Sequence, residues 1–131
     1  MSTEQNKAVV RRFIESGLDK WNPAIADELF APDYVNHLVP GGIEAFKHFF
    51  PMVRSAFPDF KWRFDIQHVV AEGDYVVVRF IYTVTNAGKE ASGPVVSEYR
   101  VVNGKIVEDW PPSDMLAYLQ QVGVSLPMGP A

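Results

Sequence analysis

The chain reads as an α+β domain in which a curved antiparallel sheet wraps around helices supplied by the N-terminal part. Three observations carry that reading. Up to Phe57 the apolar residues recur at three- and four-residue spacing, whereas after Pro58-Asp59 they alternate with period two. Asn103-Gly104 sits between two alternating runs, Val95–Val102 and Lys105–Trp110, which is the strongest short-range hairpin signal a sequence carries. No linker, repeat or low-complexity tract divides the 131 residues, so helices and strands must share one core. A single domain over 1–131 is expected, with its core at about 6–123 and an irregular tail at 124–131.

The elements follow in order. A first helix is expected from about Thr3 to Gly17, where Val9, Val10, Phe13 and Ile14 form one apolar stripe, Thr3 is the candidate cap and Gly17 the candidate stop. A second fits Pro23 to Phe30, with Asn22 as cap and proline in the first helical position, ending at Pro32-Asp33. Tyr34–His37 reads as a short extended segment before Pro40-Gly41-Gly42. A third helix is expected over Ile43–Phe57, with a kink or break at Pro51, which has no amide proton to donate. In the next segment Phe60, Trp62, Phe64 and Ile66 alternate with Lys61, Arg63, Asp65 and Gln67, the pattern of a half-buried strand. Turns at Glu72-Gly73-Asp74 and Asn86–Lys89 bound a second long strand, Tyr75–Thr85. The hairpin and a short helix opened by Ser113 complete the fold, with Asp114 favouring the start of that helix.

Composition removes several function classes. The chain has no cysteine, which excludes disulfides, thiolate catalysis and cysteine-based zinc sites. His37, His48 and His68 show no metal-ligand spacing, so a metal site is not expected. A net charge of -4 argues against nucleic-acid binding, which needs a basic face. No apolar run approaches the roughly 18 residues of a membrane span, and the first residues are polar, so a soluble cytoplasmic chain is the expectation. There is no phosphate-binding glycine loop, dinucleotide fingerprint or nucleophile elbow.

The candidate chemistry gathers at the hairpin. A two-residue loop pairs Val102 with Lys105 and sets Ser97 opposite Trp110; a three-residue loop with a bulge pairs Val101 with Lys105 and sets Ser97 opposite Asp109. The second register collects Val95, Ser97, Tyr99, Val101, Val107 and Asp109 on the more apolar face, and leaves Glu98, Arg100, Ile106, Glu108 and Trp110 on the other. On the inner face Asp109 would be a desolvated acid or base, with Ser97 and Tyr99 beside it. A carboxylate near a strand end can equally be solvated. His37 is placed to shuttle a proton and Asn36 to bind an oxygen, although a loop histidine can simply cap the backbone. Arg79, a charge within Val76–Tyr82, either clamps an anionic ligand or pairs with Glu98 or Asp65. Phe13 and Phe50 belong to a large aromatic set, some of which can line a pocket. Trp110, on the outer face, can anchor an interface between subunits.

Five segments, in this order, carry a resemblance: Phe30-Ala31-Pro32-Asp33-Tyr34-Val35-Asn36-His37, Ala56-Phe57-Pro58-Asp59, Val70-Ala71-Glu72-Gly73-Asp74, Arg100–Trp110 and Leu119-Gln120-Gln121-Val122-Gly123. Over Asn6–Gly123 the chain resembles the SnoaL-like polyketide cyclases of the nuclear transport factor 2-like fold. That resemblance implies a cone-shaped, cystatin-like α+β barrel with an apolar pocket, commonly in a homodimer or higher oligomer. It also implies intramolecular aldol chemistry without metal or cofactor, with an aspartate as acid and base, an assisting strand histidine and a ligand-contacting asparagine. Asn36 matches the asparagine. Ser97 stands at the histidine position. Aligned without gaps from Gly104-Lys105 the aspartate position holds Pro111, and a shift of two residues brings Asp109-Trp110-Pro111 onto the family's Asp-Trp-Pro. The cyclases are also longer where this chain has Gly88–Pro94.

Two functions follow as expectations. One is a cofactor-free lyase, isomerase or cyclase acting on a small apolar carbonyl compound, with Asp109 and His37 as catalytic candidates and Asn36, Ser97, Tyr99, Arg79, Phe13 and Phe50 as ligand-binding candidates. The other is a non-catalytic ligand-binding or dimerisation module on the same scaffold.

Overall fold

A computed structural model describes residues 2–125. In chain order the elements are α1 (Thr3–Arg12), continued by a π-helical turn (Phe13–Leu18), α2 (Ile25–Leu29), β1 (Phe30–Asn36), α3 (Gly42–Ala56), β2 (Lys61–Glu72), β3 (Tyr75–Asn86), β4 (Lys89–Val102), β5 (Lys105–Trp110) and α4 (Asp114–Gln121). The five strands form one open, curved sheet in the order β1-β5-β4-β3-β2. Every neighbouring pair is antiparallel except β1 with β5. α1 crosses the concave side of β2 to β5, while α4 covers β4 and β3 and α3 covers β1. No helix among the described residues is long and apolar enough to cross a membrane.

The helical half differs from the sequence reading in ways with local causes. Ser2, not Thr3, caps α1: its hydroxyl accepts from the Gln5 amide while the Gln5 side chain takes the Ser2 amide, a reciprocal capping box. Past Arg12 the helix widens, with Asp19 N–H donating to the Ile14 carbonyl five residues back. Gly17 does not stop the helix; it lets α2 pack closely, since a Cβ there would lie 2.5 Å from Ile25 Cγ2. The second helix is shorter than expected at both ends: it starts at Ile25 with Ala24, not Asn22, in the cap position, and Phe30 is already extended and opens β1. Pro32 is tolerated in β1 because that strand lies at the sheet edge. α3 runs unbroken through Pro51, which sits on the exposed side of the helix, where water can satisfy the carbonyl it leaves free.

The strands are longer than their apolar runs suggest. β2 continues to Glu72 through a bulge at Gln67, which moves Val69 and Ala71 onto the inner face. β4 begins at Lys89 and contains Pro94, whose missing amide faces a side where β5 has already ended, since β5 reaches only to Glu98. The open edge of β2 is tied to the π-helical turn. Trp62 Nε1 donates to the Leu18 carbonyl at 2.7 Å, and the Phe64 amide donates to Asp19 Oδ1 at 2.9 Å. Val124 and Ser125 carry no regular structure, and the rest of the expected tail, 126–131, lies outside the described residues.

At the hairpin, Asn103 and Gly104 both adopt positive φ (52° and 78°), as a two-residue turn requires, and Val102 pairs with Lys105. Val107 is then an extra residue: Val101 pairs with Ile106, but Arg100 pairs with Glu108 and Tyr99 with Asp109. Neither simple register holds. Ile106 is fully buried rather than outward, and Val107 is only half-buried.

The close approach at Gly17 yields a stability prediction. Gly17→Ala is expected to destabilise the fold by about 1–3 kcal/mol, because overpacking against the stiff, buried Ile25 outweighs the gain in helix propensity of at most ~1 kcal/mol. Urea denaturation measures it, and an unchanged or raised midpoint contradicts the packing argument.

Candidate functional site

The concave face of the sheet and the helices above it enclose a cavity of about 130 Å³. Its walls are overwhelmingly apolar, with Phe13, Phe46, Phe50, Trp62 and Phe80 among them. The π-helical turn contributes both its ends, Phe13 and Leu18, and α4 contributes Met115, Leu116 and Leu119. Polar groups enter from few positions: Asn36 on β1, Tyr82 on β3, Ser97 and Tyr99 on β4, and Asp109 on β5. An apolar cleft with a few convergent polar groups is the usual form of a small-molecule site.

Asp109 is the centre of the polar group. The bulge at Val107 turns it inward, where it is only 5% exposed. Tyr34 Oη donates to Asp109 Oδ2 at 3.0 Å, and Asn36 Nδ2 donates to Tyr34 Oη at 3.2 Å. The amides of Leu38 and Val39 both donate to Asn36 Oδ1 at 2.8 Å, which fixes the amide orientation and aims its nitrogen at Tyr34. The backbone joins the same parts: Asn36 pairs with Asp109 in the parallel ladder, and the His37 amide donates to the Asp109 carbonyl at 2.8 Å. On the other flank Ser97 Oγ donates to Tyr99 Oη at 3.0 Å, leaving the Tyr99 proton free for another acceptor.

Burial dominates the electrostatics here. Removal from water pushes the Asp109 carboxyl up to about 7, against which the Tyr34 hydrogen bond acts only partly. Burial, then the nearby Asp109 charge, raises the Tyr34 and Tyr99 hydroxyls, so both keep their protons and act as donors. Asp109 Oδ1 is buried and has no hydrogen-bond partner among the described residues. A carboxyl poised near neutrality, with one oxygen held and the other free, can both accept and return a proton.

Of the residues singled out from sequence, the structure brings Asp109, Asn36, Ser97, Tyr99, Phe13 and Phe50 to the cavity. It places His37 and Arg79 elsewhere, and strand alternation is the reason for both. Tyr34 and Asn36 face inward along β1, so His37 turns outward, stacked on Trp110 at 4.7 Å and paired with Glu108 at 2.9 Å. Val78 and Phe80 are buried on β3, so Arg79 between them is exposed, and it makes no ion pair with Glu98 or Asp65. Glu108 lies outside too; the Arg100 guanidinium at 2.6 Å, and then His37, hold its carboxyl below the ordinary range. Ser97 does not face Asp109 across the ladder; Tyr99 does. Sequence reasoning missed Tyr34 and Tyr82. Tyr34 had one signal, its two-residue spacing from Asn36, which puts both side chains on one face of an extended segment.

Comparisons with known proteins agree with this architecture. The family model described as SnoaL-like polyketide cyclase matches residues 8–122. Among solved structures, IdmH of Streptomyces antibioticus, a candidate polyketide cyclase, is 26% identical, with a TM-score of 0.73 over 92% of this chain and 99% of its own. A candidate polyketide cyclase from Acidithiobacillus ferrooxidans is also 26% identical, with a TM-score of 0.73 over 93% and 97%. One from Bacillus cereus, at 23% identity and a TM-score of 0.76 over 95% and 87%, shares the fold. No curated protein matches the chain.

The raised Asp109 carboxyl predicts a pH dependence whose sign is determined. Below pH 4 the group is protonated whether the chain is folded or not. Between about 4 and 7 it ionises in the unfolded chain while burial keeps it protonated in the folded one, so its contribution to stability is lost as pH rises and is gone above about 7. Asp109→Asn keeps an acceptor for Tyr34 and removes the titration. The variant is expected to match the wild type near pH 4 and to exceed it by a few kcal/mol at pH 8, on the order of 4 for a shift of this size. Parallel denaturation curves at several pH values check this; a gap that does not vary with pH contradicts it.

Proposed function

The chain belongs to the SnoaL-like polyketide cyclase family, and on that premise we propose that it binds a small apolar carbonyl compound in the cavity and moves a proton at the carbon beside the carbonyl, with Asp109 as acid and base. The observation that carries this reading is Asp109, a buried carboxyl that lines an apolar cavity and whose Oδ1 has no hydrogen-bond partner among the described residues. In the forward step the C–H bond breaks, its proton moves to Oδ1, and its electron pair forms the enolate. The free proton of Tyr99 and the second N–H of Asn36 are the donors available to the enolate oxygen. Return of the proton to a different carbon gives an isomerisation. Attack of the enolate carbon on a second carbonyl, with the proton delivered to the oxygen that becomes a hydroxyl, closes a ring. Tyr34 holds Oδ2 throughout, so the reacting oxygen is the free one.

A second reading, binding without turnover, is favoured by Ser97, which stands where the cyclases carry an assisting histidine and is engaged with Tyr99. We also propose that the chain pairs with a second copy of itself through the outer face of the sheet, where Val35, Val70, Tyr75 and Val96 stand exposed.

The enzyme reading is tested by deuterium exchange at the α-carbon of a panel of enolisable ketones. The wild type is expected to show a rate that rises with pH around 7, and Asp109→Asn a loss of roughly 100-fold or more with binding retained. Binding without any exchange by the wild type would select the second reading. For the dimer, Val96→Asp is expected to shift sedimentation toward the monomer; an unchanged profile places any interface elsewhere.

A further inference from the structure

Tyr82 is a buried polar group that the proton-transfer reading does not use. Its side chain is fully buried and lines the same cavity, and its hydroxyl has no hydrogen-bond partner among the described residues. The surrounding rings are those of Phe64 at 5.2 Å, Tyr118 at 6.1 Å and Trp62 at 6.4 Å between centroids. Phenylalanine would fill this position with no polar group to satisfy. An orphaned buried hydroxyl on a residue that lines a cavity is costly, and a partner entering the cavity from outside the protein would relieve that cost.

Its position along the sheet says where that partner would lie. Val78 pairs with Ser97, beside the Asp109–Tyr99 pair, whereas Tyr82, four residues further along β3, pairs with Gly93. All three of Asp109, Tyr99 and Tyr82 line the cavity, so its polar groups are divided between two poles, with Phe80 between them along β3 and Phe64 beside Tyr82 on β2. The volume of about 130 Å³ is of the size that accommodates a single ring, since an apolar cavity of roughly 150 Å³ holds benzene.

We infer that the ligand is a small, one-ring or short-chain molecule with two oxygen functions, a carbonyl held at the Asp109–Tyr99 pole and a second carbonyl or hydroxyl bonded by Tyr82 at the other. The inference rests on the ligand-binding part of the proposed function and not on turnover. It assigns Tyr82 as a specificity residue: a site built to bond an oxygen discriminates against an analogue lacking it, because the hydroxyl is then left unpaired.

The test measures dissociation constants for matched pairs that differ by the second oxygen: cyclohexanone against the diketone with its carbonyls directly across the ring, and benzylacetone against its para-hydroxy derivative. The wild type is expected to bind the doubly oxygenated member of at least one pair roughly tenfold more tightly, and Tyr82→Phe to abolish that preference while leaving affinity for the mono-oxygenated member unchanged. Thermal melting of the unliganded variant guards against a folding artefact: Tyr82→Phe should melt at or above the wild-type temperature, because no bond is lost. Equal affinity of the wild type for both members of both pairs, or a preference that survives in Tyr82→Phe, overturns the inference. Asp109→Asn run in parallel separates the two readings, since a second-oxygen preference that depends on Tyr82 stands even if Asp109→Asn leaves proton exchange untouched.

Discussion

With a strictly regular ladder beyond the Asn103-Gly104 turn, Tyr99 would pair with Glu108, and Glu108 would point into the core while Asp109 pointed to solvent. The extra residue at Val107 reverses this, because one inserted residue moves every later side chain of a strand to the opposite face. The bulge therefore decides which of two adjacent carboxylates is desolvated. It also lets each be satisfied differently: Glu108 finds Arg100 and His37 at the surface, and Asp109 finds Tyr34 in the interior. The electrostatic character of the cavity depends on this one irregularity.

The cost of burying that carboxyl is distributed over two distant parts of the chain. β1 supplies Tyr34 as a donor and Asn36 as the group that orients it, and the parallel pairing of β1 with β5 holds both in place. Asn36 is in turn locked by the two amides that follow it as the chain leaves the strand. Edge position, proline tolerance and the support of Asp109 thus coincide in β1: the strand can hold Pro32 because it is at the edge, and it can reach Asp109 because the edge lies next to β5. The apolar wall opposite is built by the π-helical turn, which spreads Phe13 and Leu18 along the cavity, and by the tie between that turn and the edge of β2.

Much of the fold was legible in local pattern. Apolar residues at helical spacing in α1, alternation through Trp62 and Phe64, and the positive-φ pair at Asn103-Gly104 are properties of short stretches, and short stretches determine them. The site was legible in part. Asp109, Asn36, Ser97 and Tyr99 stood out as polar residues near one hairpin or one loop, and all four line the cavity. His37 and Arg79 stood out for the same reason and lie outside, because a polar residue next to an apolar run reveals its chemistry but not its face. Tyr34 passed unnoticed because its partner is 75 residues away.

What the sequence by itself determined is the class of each element, the order of helices before strands, the turn that closes the hairpin and the family to which the chain belongs. Only the tertiary structure decided which carboxylate is buried, which tyrosine holds it and which tyrosine hydroxyl has no partner among the described residues. The reason is one of range. Periodicity and turn chemistry are settled among residues within a few positions of one another. Bulges, desolvation and unpaired hydroxyls arise only when strands distant in the sequence are laid side by side.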